Sequence, residues 1–243
     1  MKKKHLLILA YLFTLTVFSQ TINTDRPDQT EGSSTINKGT FQIETGLLLS
    51  EDDNINEKSL FLPSTLLRFG LTDNIELRVF QEIEHKIYHT NTITGFNDLQ
   101  LGLKLQLFKK ENSSTEIAFM SHINLPNSSY LFSNNRMGVI NKLCISHPTD
   151  KRTQIAYNIG YDYIQAGNGN LTYSFVTSYA VNDKFNAYIE PYGEINELSK
   201  HLGKINLGFT YLIKENMQLD YSLGSGINHI FNFTSIGYSV LFN

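Results

Sequence analysis

Cysteine is almost missing from this chain of 243 residues: Cys144 stands alone. No intrachain disulfide can form, so a disulfide scaffold and a cysteine-rich metal site are both excluded. Cys144 reads as a small packed residue. Tryptophan is absent, so any aromatic girdle must be built from the 13 tyrosines and 16 phenylalanines. Neither sign of charge dominates, with 20 Lys and Arg against 23 Asp and Glu, and nothing argues for nucleic acid as a partner. Beyond the N-terminus no uninterrupted apolar run reaches the roughly 18 residues of a membrane helix. No segment of helical period follows either, which argues against a parallel α/β fold.

Catalytic signatures are equally scarce. His85 and His89 have the spacing of a helical metal pair, but no Glu follows in HExxH order, and they read as exposed loop residues. No GxxxxGK[ST] phosphate loop exists, and Asn168-Gly169-Asn170 reads as a turn. Gly224-Ser225-Gly226 lacks the strand-turn-helix context of a nucleophile elbow. Some membrane barrels hydrolyse lipid with a lipid-facing His-x-Ser pair. Here Ser121-His122 and Ser146-His147 are adjacent, so on a strand their side chains face opposite ways. No catalytic residue, metal ligand or cofactor is expected.

What the chain does contain is alternation. In Asn97 to Phe108, Leu99, Leu101, Leu103, Leu105 and Leu107 occupy every second position. Asp98, Gln100, Gly102, Lys104 and Gln106 fill the places between. On a strand this makes one face leucine and the other polar; on a helix the leucines would scatter. Similar blocks of about ten to twelve residues recur from Gly39 onward, twelve in all. They predict strands at 40–49, 60–71, 75–84, 97–108, 115–125, 135–147, 153–165, 170–181, 185–194, 204–213, 217–228 and 232–242. Short turns at 72–74, 109–114, 148–152, 182–184 and 214–216 mostly alternate with longer loops at 51–58, 85–96, 126–134 and 195–203. Each block is close to the roughly 9–11 residues that a tilted strand needs to cross a membrane core.

Met1 to Gln20 reads as a secretory signal: Lys2, Lys3 and Lys4, then the apolar Leu6 to Phe18, then Ser19 near the cut. Residues 21–38 form a polar N-terminal segment without periodicity, and 39–243 form the strand region. The predicted fold is all-β: a closed antiparallel up-and-down transmembrane β-barrel of about 12 strands behind a signal peptide. Closure removes the unpaired edges that lipid does not tolerate. A soluble sandwich would show the same alternation. The signal, the strand lengths and tyrosines near strand ends (Tyr163, Tyr173, Tyr179, Tyr211) favour the membrane. Inward faces would carry Glu76, Arg78, Asp98, Lys104, Glu116, His122, Arg136, Lys142, Asp162, Glu190, Glu194, Lys204 and Asp220. These predict either an ion-pair network that fills the lumen or a polar conduit with mild cation preference.

Residues Thr24 to Gly46, TDRPDQTEGSSTINKGTFQIETG, resemble the opening of the outer-membrane proteins grouped as the meta-pathway of phenol degradation family. LLRFGLTDNIELRV (Leu66 to Val79) resembles that family's second hairpin. Asp98, Leu101, Gly102 and Lys104 resemble its D-x-x-L-G-x-K strand. INLPNSS (Ile123 to Ser129) is similar to a loop that usually reads P-T-G-S, and AYIEPYGEIN and MQLDYSLGSGIN match two late strands. The resemblance implies a barrel in the bacterial outer membrane, in contact with outer-membrane lipid and inserted by the barrel assembly machinery. It implies transport of a small solute, hydrophobic or aromatic by the family label alone. The final Phe242 is followed by Asn243, which departs from the usual terminal aromatic. A barrel without transport, structural or lipid-facing and enzymatic, is the alternative. Asp25, Arg26, Asp28 and Glu31 concentrate charge around Pro27, and the expectation is that this segment folds into the periplasmic mouth. Arg78, Lys104, Arg136 and Lys142 would then receive its carboxylates, and Glu76 or Glu190 would receive Arg26. The mature chain is expected to fractionate with outer membranes and to migrate heat-modifiably on gels; a soluble periplasmic protein would overturn the barrel.

Overall fold

Side chains that alternate strictly must be sorted to two faces, and the computed structural model shows the sorting. It describes residues 21–52, 57–88, 91–110, 114–133, 135–164 and 167–243; the signal-like stretch 1–20 lies outside the described residues. The strands are β1 (Phe41–Asp52), β2 (Glu57–Thr72), β3 (Ile75–Tyr88), β4 (Asn91–Phe96), β5 (Leu99–Lys109), β6 (Glu116–Leu125), β7 (Gly138–Pro148), β8 (Thr153–Tyr163), β9 (Asn170–Ala180), β10 (Phe185–Asn196), β11 (Lys200–Lys214), β12 (Met217–Gly226) and β13 (Phe231–Phe242).

All pair antiparallel in one sheet, and β1 pairs with β13, placing Phe41 opposite Phe242. The sheet therefore closes. Strands β4 and β5 lie end to end against β3, which pairs with β4 through Ile83–Tyr88 and with β5 through Ile75–Phe80. They form one stave broken at Asn97-Asp98, so thirteen segments make a barrel of twelve staves.

The barrel is apolar outside and charged inside. Leu101, Leu103 and Leu107 are exposed, whereas Lys104 between them is fully buried. The largest fully buried side chains include Arg68, Arg78, Lys104, Glu44, Glu76, Glu190 and Asp220. A soluble sandwich would bury the leucines instead, so the sandwich is excluded. Tyr163 and Tyr173 are exposed at the loop end of the barrel and Tyr179 and Tyr211 at the turn end, the depths of the two membrane interfaces.

The loop end differs from the sequence-based expectation. Residues 85–96 are not a polar loop: β3 continues to Tyr88 and β4 returns from Asn91. His85 is a strand residue whose Nδ1 lies 2.8 Å from Thr94 Oγ1, while His89 lies outside the described residues. Likewise β10 runs to Asn196 and β11 starts at Lys200, which shortens the expected 195–203 loop. Above the lipid both faces meet water, so the ladder continues without apolar alternation to betray it.

The facing predicts opposite outcomes for neighbouring substitutions. Leu103→Arg places a charge in lipid and is expected to cost about 2–4 kcal/mol, read as loss of the heat-modifiable folded band. Gln106→Arg points into a vestibule that also holds Asp73 and Glu116, and should assemble normally.

Candidate functional site

The polar N-terminal segment lies inside the barrel. It enters at the turn end, where the Ile22 N–H donates to the Glu215 carbonyl at 2.7 Å. It crosses the lumen and returns to the same end, where Thr35 Oγ1 donates to the Asp73 carbonyl at 2.7 Å and the Lys38 N–H to the Asp73 carboxylate at 3.1 Å. The bend is closed by Asp25, whose carboxylate accepts the Gly32 N–H at 2.7 Å.

Three wall glutamates, Glu44 on β1, Glu76 on β3 and Glu190 on β10, hold the segment by its main chain. Each is wholly buried. Glu44 accepts the N–H groups of Asp25 and Arg26 at 3.0 Å. Glu76 accepts that of Ile36 at 3.0 Å, and Glu190 that of Gln29 at 2.9 Å together with the Thr30 hydroxyl at 2.6 Å. A short irregular chain has no partners of its own for these donors, and an unmade buried hydrogen bond costs about 1–3 kcal/mol.

The segment's charges meet two opposed walls. On one side stand Arg68, Arg78, Lys104 and Lys142, from β2, β3, β5 and β7. Asp25 takes Arg78 at 2.6 Å and Lys104 at 2.9 Å, with Arg68 at 3.5 Å. Glu31 takes Arg78 at 2.8 Å and lies 3.8 Å from Lys104 and Lys142. Burial opposes the charged form of Asp25, but Arg68, Lys104 and Arg78 outweigh it and hold the carboxyl well below the usual range. Arg68 also pairs with Glu44 and Glu76, both at 2.8 Å. On the other side, Arg26 reaches Asp220 at 3.2 Å and Ser235 at 2.8 Å. Asp28 is pushed well above the usual carboxylate range, by burial and by the Glu190 carboxylate near it.

Room for Arg26 is made by two glycines. Gly46 and Gly237 face each other across the β1–β13 seam, and a Cβ at either would collide with the Arg26 guanidinium. The Gly46 that ends the opening motif thus serves Arg26, its third residue. Gly102 similarly leaves space for the His122 ring, whose Nε2 lies 3.1 Å from Arg78 Nε. The guanidinium is the donor there, so the imidazole is neutral.

Two expected placements, the partner of Arg26 and the facing of Arg136, are corrected. Arg26 goes to Asp220, not to Glu76 or Glu190: Glu76 is taken by Arg68, Arg78 and the Ile36 N–H, and Glu190 by the Gln29 N–H and the Thr30 hydroxyl. Arg136 is exposed ahead of β7 and does not line the lumen. Asp98 points inward but anchors the 126–137 loop, accepting from the Ser128 N–H at 3.2 Å and Ser133 Oγ at 2.9 Å. Glu116 meets Lys109 at 3.2 Å near the turn end, and Glu194 meets Lys204 at 3.7 Å near the loop end. Arg68 and Glu44 were missed as site residues. Their only signal is a charge beside outward residues, between Leu67 and Phe69 for Arg68 and between Ile43 and Thr45 for Glu44.

The segment divides the lumen. Toward the loops lies a chamber of about 330 Å³, floored by Asp25, Arg26, Gln29 and Glu31 and walled by Arg78, His122, Lys142 and Asp162 among others. Toward the turns lies one of about 580 Å³, bordered by Asn23, Thr35, Asp73, Gln106 and Glu116. Ser121 and His122 face opposite sides of β6, with Ser121 on Asn141 at 2.9 Å. Ser146 touches Ser33 and His147 turns to Thr115. Neither pair is assembled for hydrolysis.

A closed twelve-stave barrel with an apolar belt and a polar, divided lumen defines an outer-membrane β-barrel. Residues 24–230 match the model of the family described as "Putative MetA-pathway of phenol degradation", and the chain belongs to that family. Among solved structures it is similar to an outer membrane channel from Pseudomonas putida F1, with 11% identity over 89% of this chain and 100% of that one, TM-score 0.72. It is also similar to the KdgM porin (11% identity, 83% and 99% covered, TM-score 0.58) and the NanC porin (12%, 81% and 98%, TM-score 0.55). At such identities the likeness is one of fold. No curated protein sequence matches the chain.

Arg68 is the residue on which the buried network turns. Arg68→Met leaves Glu44 and Glu76 short of a partner and is expected to destabilise the barrel by about 3–5 kcal/mol, measured by urea unfolding in lipid vesicles. Gly46→Leu should expel Arg26 and loosen the segment, seen as faster hydrogen exchange at residues 24–33 with the strands still protected.

Proposed function

We propose that the protein is an outer-membrane channel for small solutes, with residues 24–36 forming a constriction across its lumen. The observation that carries this reading is the pair of chambers on either side of the segment, the loop-side one lined by charged groups together with Leu66, Phe80, Met120 and Ile140. A lumen built only for stability would have no reason to keep open space on both sides of the segment. The family label extends the proposal to aromatic solutes. Outer-membrane lipid covers the leucine belt, and the assembly machinery receives the chain through β13, whose Phe242 lies exposed beside Phe41 at the seam. No chemistry is assigned to the lumen, since the serine and histidine pairs are separated by the sheet.

The density of bonds to the segment favours a second reading, a barrel filled by its own chain with a structural role in the envelope. Planar-bilayer conductance separates the two. Full-length protein should give small currents, and deletion of Thr24 to Glu31 should raise them several-fold while the barrel still migrates heat-modifiably. Absence of current from both folded forms would overturn the channel. Lipid hydrolysis assayed on the same preparations is expected to be nil.

A further inference from the structure

The basic wall carries more charge than the barrel itself can neutralise. Arg68, Arg78, Lys104 and Lys142 are four cations, and the wall carboxylates that pair with this cluster are two, Glu44 and Glu76. Asp25 and Glu31 supply the remaining two negative charges from the segment. Asp162 lines the same chamber, and among the described residues no ion pair joins it to the cluster. His122, facing it from β6, is neutral for the reason given above.

The two segment carboxylates sit side by side on one guanidinium. Arg78 donates through Nη1 to Asp25 and through Nη2 to Glu31, at 2.6 and 2.8 Å. Lys104 Nζ lies 2.9 Å from Asp25 and 3.8 Å from Glu31, bridging them from the other side. Planar, forked donors with a shared ammonium are a carboxylate-recognition arrangement. The barrel strands supply every one of these donors, and the N-terminal segment fills the site they form. Glu31 is the less buried of the two, with its side chain 18% exposed against 6% for Asp25. It borders the loop-side chamber together with Arg78 and Lys142.

We infer that Arg68, Arg78, Lys104 and Lys142 form a binding site for small carboxylates, short dicarboxylates best of all, which Asp25 and Glu31 occupy in cis. The binding site stands on its own geometry, and its part in passage rests on the channel reading. A dicarboxylate arriving from the loop side meets Glu31 first and replaces it on Arg78 and Lys142. Replacement of Asp25 then frees the segment from this wall. The same cations that lock the lumen against the segment thus choose what enters once it is released. This selects anions, opposite to the mild cation preference expected from counting inward charges.

The test uses full-length protein in detergent and in bilayers, with succinate as probe and uncharged succinamide as its match. Asp25→Asn with Glu31→Gln empties the site of charge without shortening the chain. Succinate should raise the unfolding midpoint of this double variant by several degrees, succinamide should not, and the wild type should move much less. Adding Arg78→Gln should abolish the shift. In bilayers the double variant should favour chloride over potassium, and succinate should block at a concentration about tenfold below succinamide, equivalent to roughly 1.4 kcal/mol. If the double variant fails to fold, Glu31→Gln alone carries the same comparisons. Equal responses to succinate and succinamide in a folded variant would overturn the site, even where currents are large and the channel stands. A succinate-specific shift with no current from any variant would keep the site and remove the channel.

Discussion

The constraint beneath this structure is that lipid offers the peptide group no hydrogen-bond partner, so every strand edge must be paired. The seam between β1 and β13 satisfies it, with twelve residues of β1 each facing one of β13. Closure then decides the rest. Once the sheet is a cylinder its outer face must be mainly apolar, carried by Leu, Ile, Val, Phe and Tyr, and polar residues there, such as Ser121 and Asn141, bond to each other. Every charge on the alternate positions of β2, β3, β5, β10 and β12 is forced into one narrow space.

That space has an electrostatic problem that the strands do not solve alone. Buried charges are costly unless paired and hydrogen-bonded. The wall is polarised, with cations on β2, β3, β5 and β7 and the acids Glu190 and Asp220 across from them on β10 and β12. The N-terminal segment is the complement of that pattern. Asp25 and Glu31 turn to the basic side, and Arg26 to the acidic side through the gap left by Gly46 and Gly237. Its main-chain N–H groups end on Glu44, Glu76 and Glu190. The spacing of the opening motif follows from this docking: Asp25 must reach Gly32 to close the bend, and the intervening residues must bridge two walls.

Much of the barrel was legible in advance. Leu99 to Leu107 showed which face meets lipid, and the twelve alternating blocks matched the twelve staves. The polar ends were less legible. Residues 85–96 looked like loop because strands that rise above the membrane have water on both faces and lose their two-residue apolar signal. The segment's charges were visible, and so were Arg78, Lys104 and Lys142. Arg68 and Glu44 escaped notice because one charge beside outward-facing residues looks like noise until its facing is known.

Alternation and composition by themselves determined strand, facing and membrane, because those depend on properties local to each residue: the direction of a side chain and its cost in lipid. Only the tertiary structure decided who meets whom inside. The partner of Arg26 is Asp220, 194 positions away, and Glu190 spends its charge on the main chain of Gln29. Backbone donors carry no side-chain signature, and pairings across a lumen depend on stagger around the whole cylinder. Both are products of closure, which no single stretch of the chain contains.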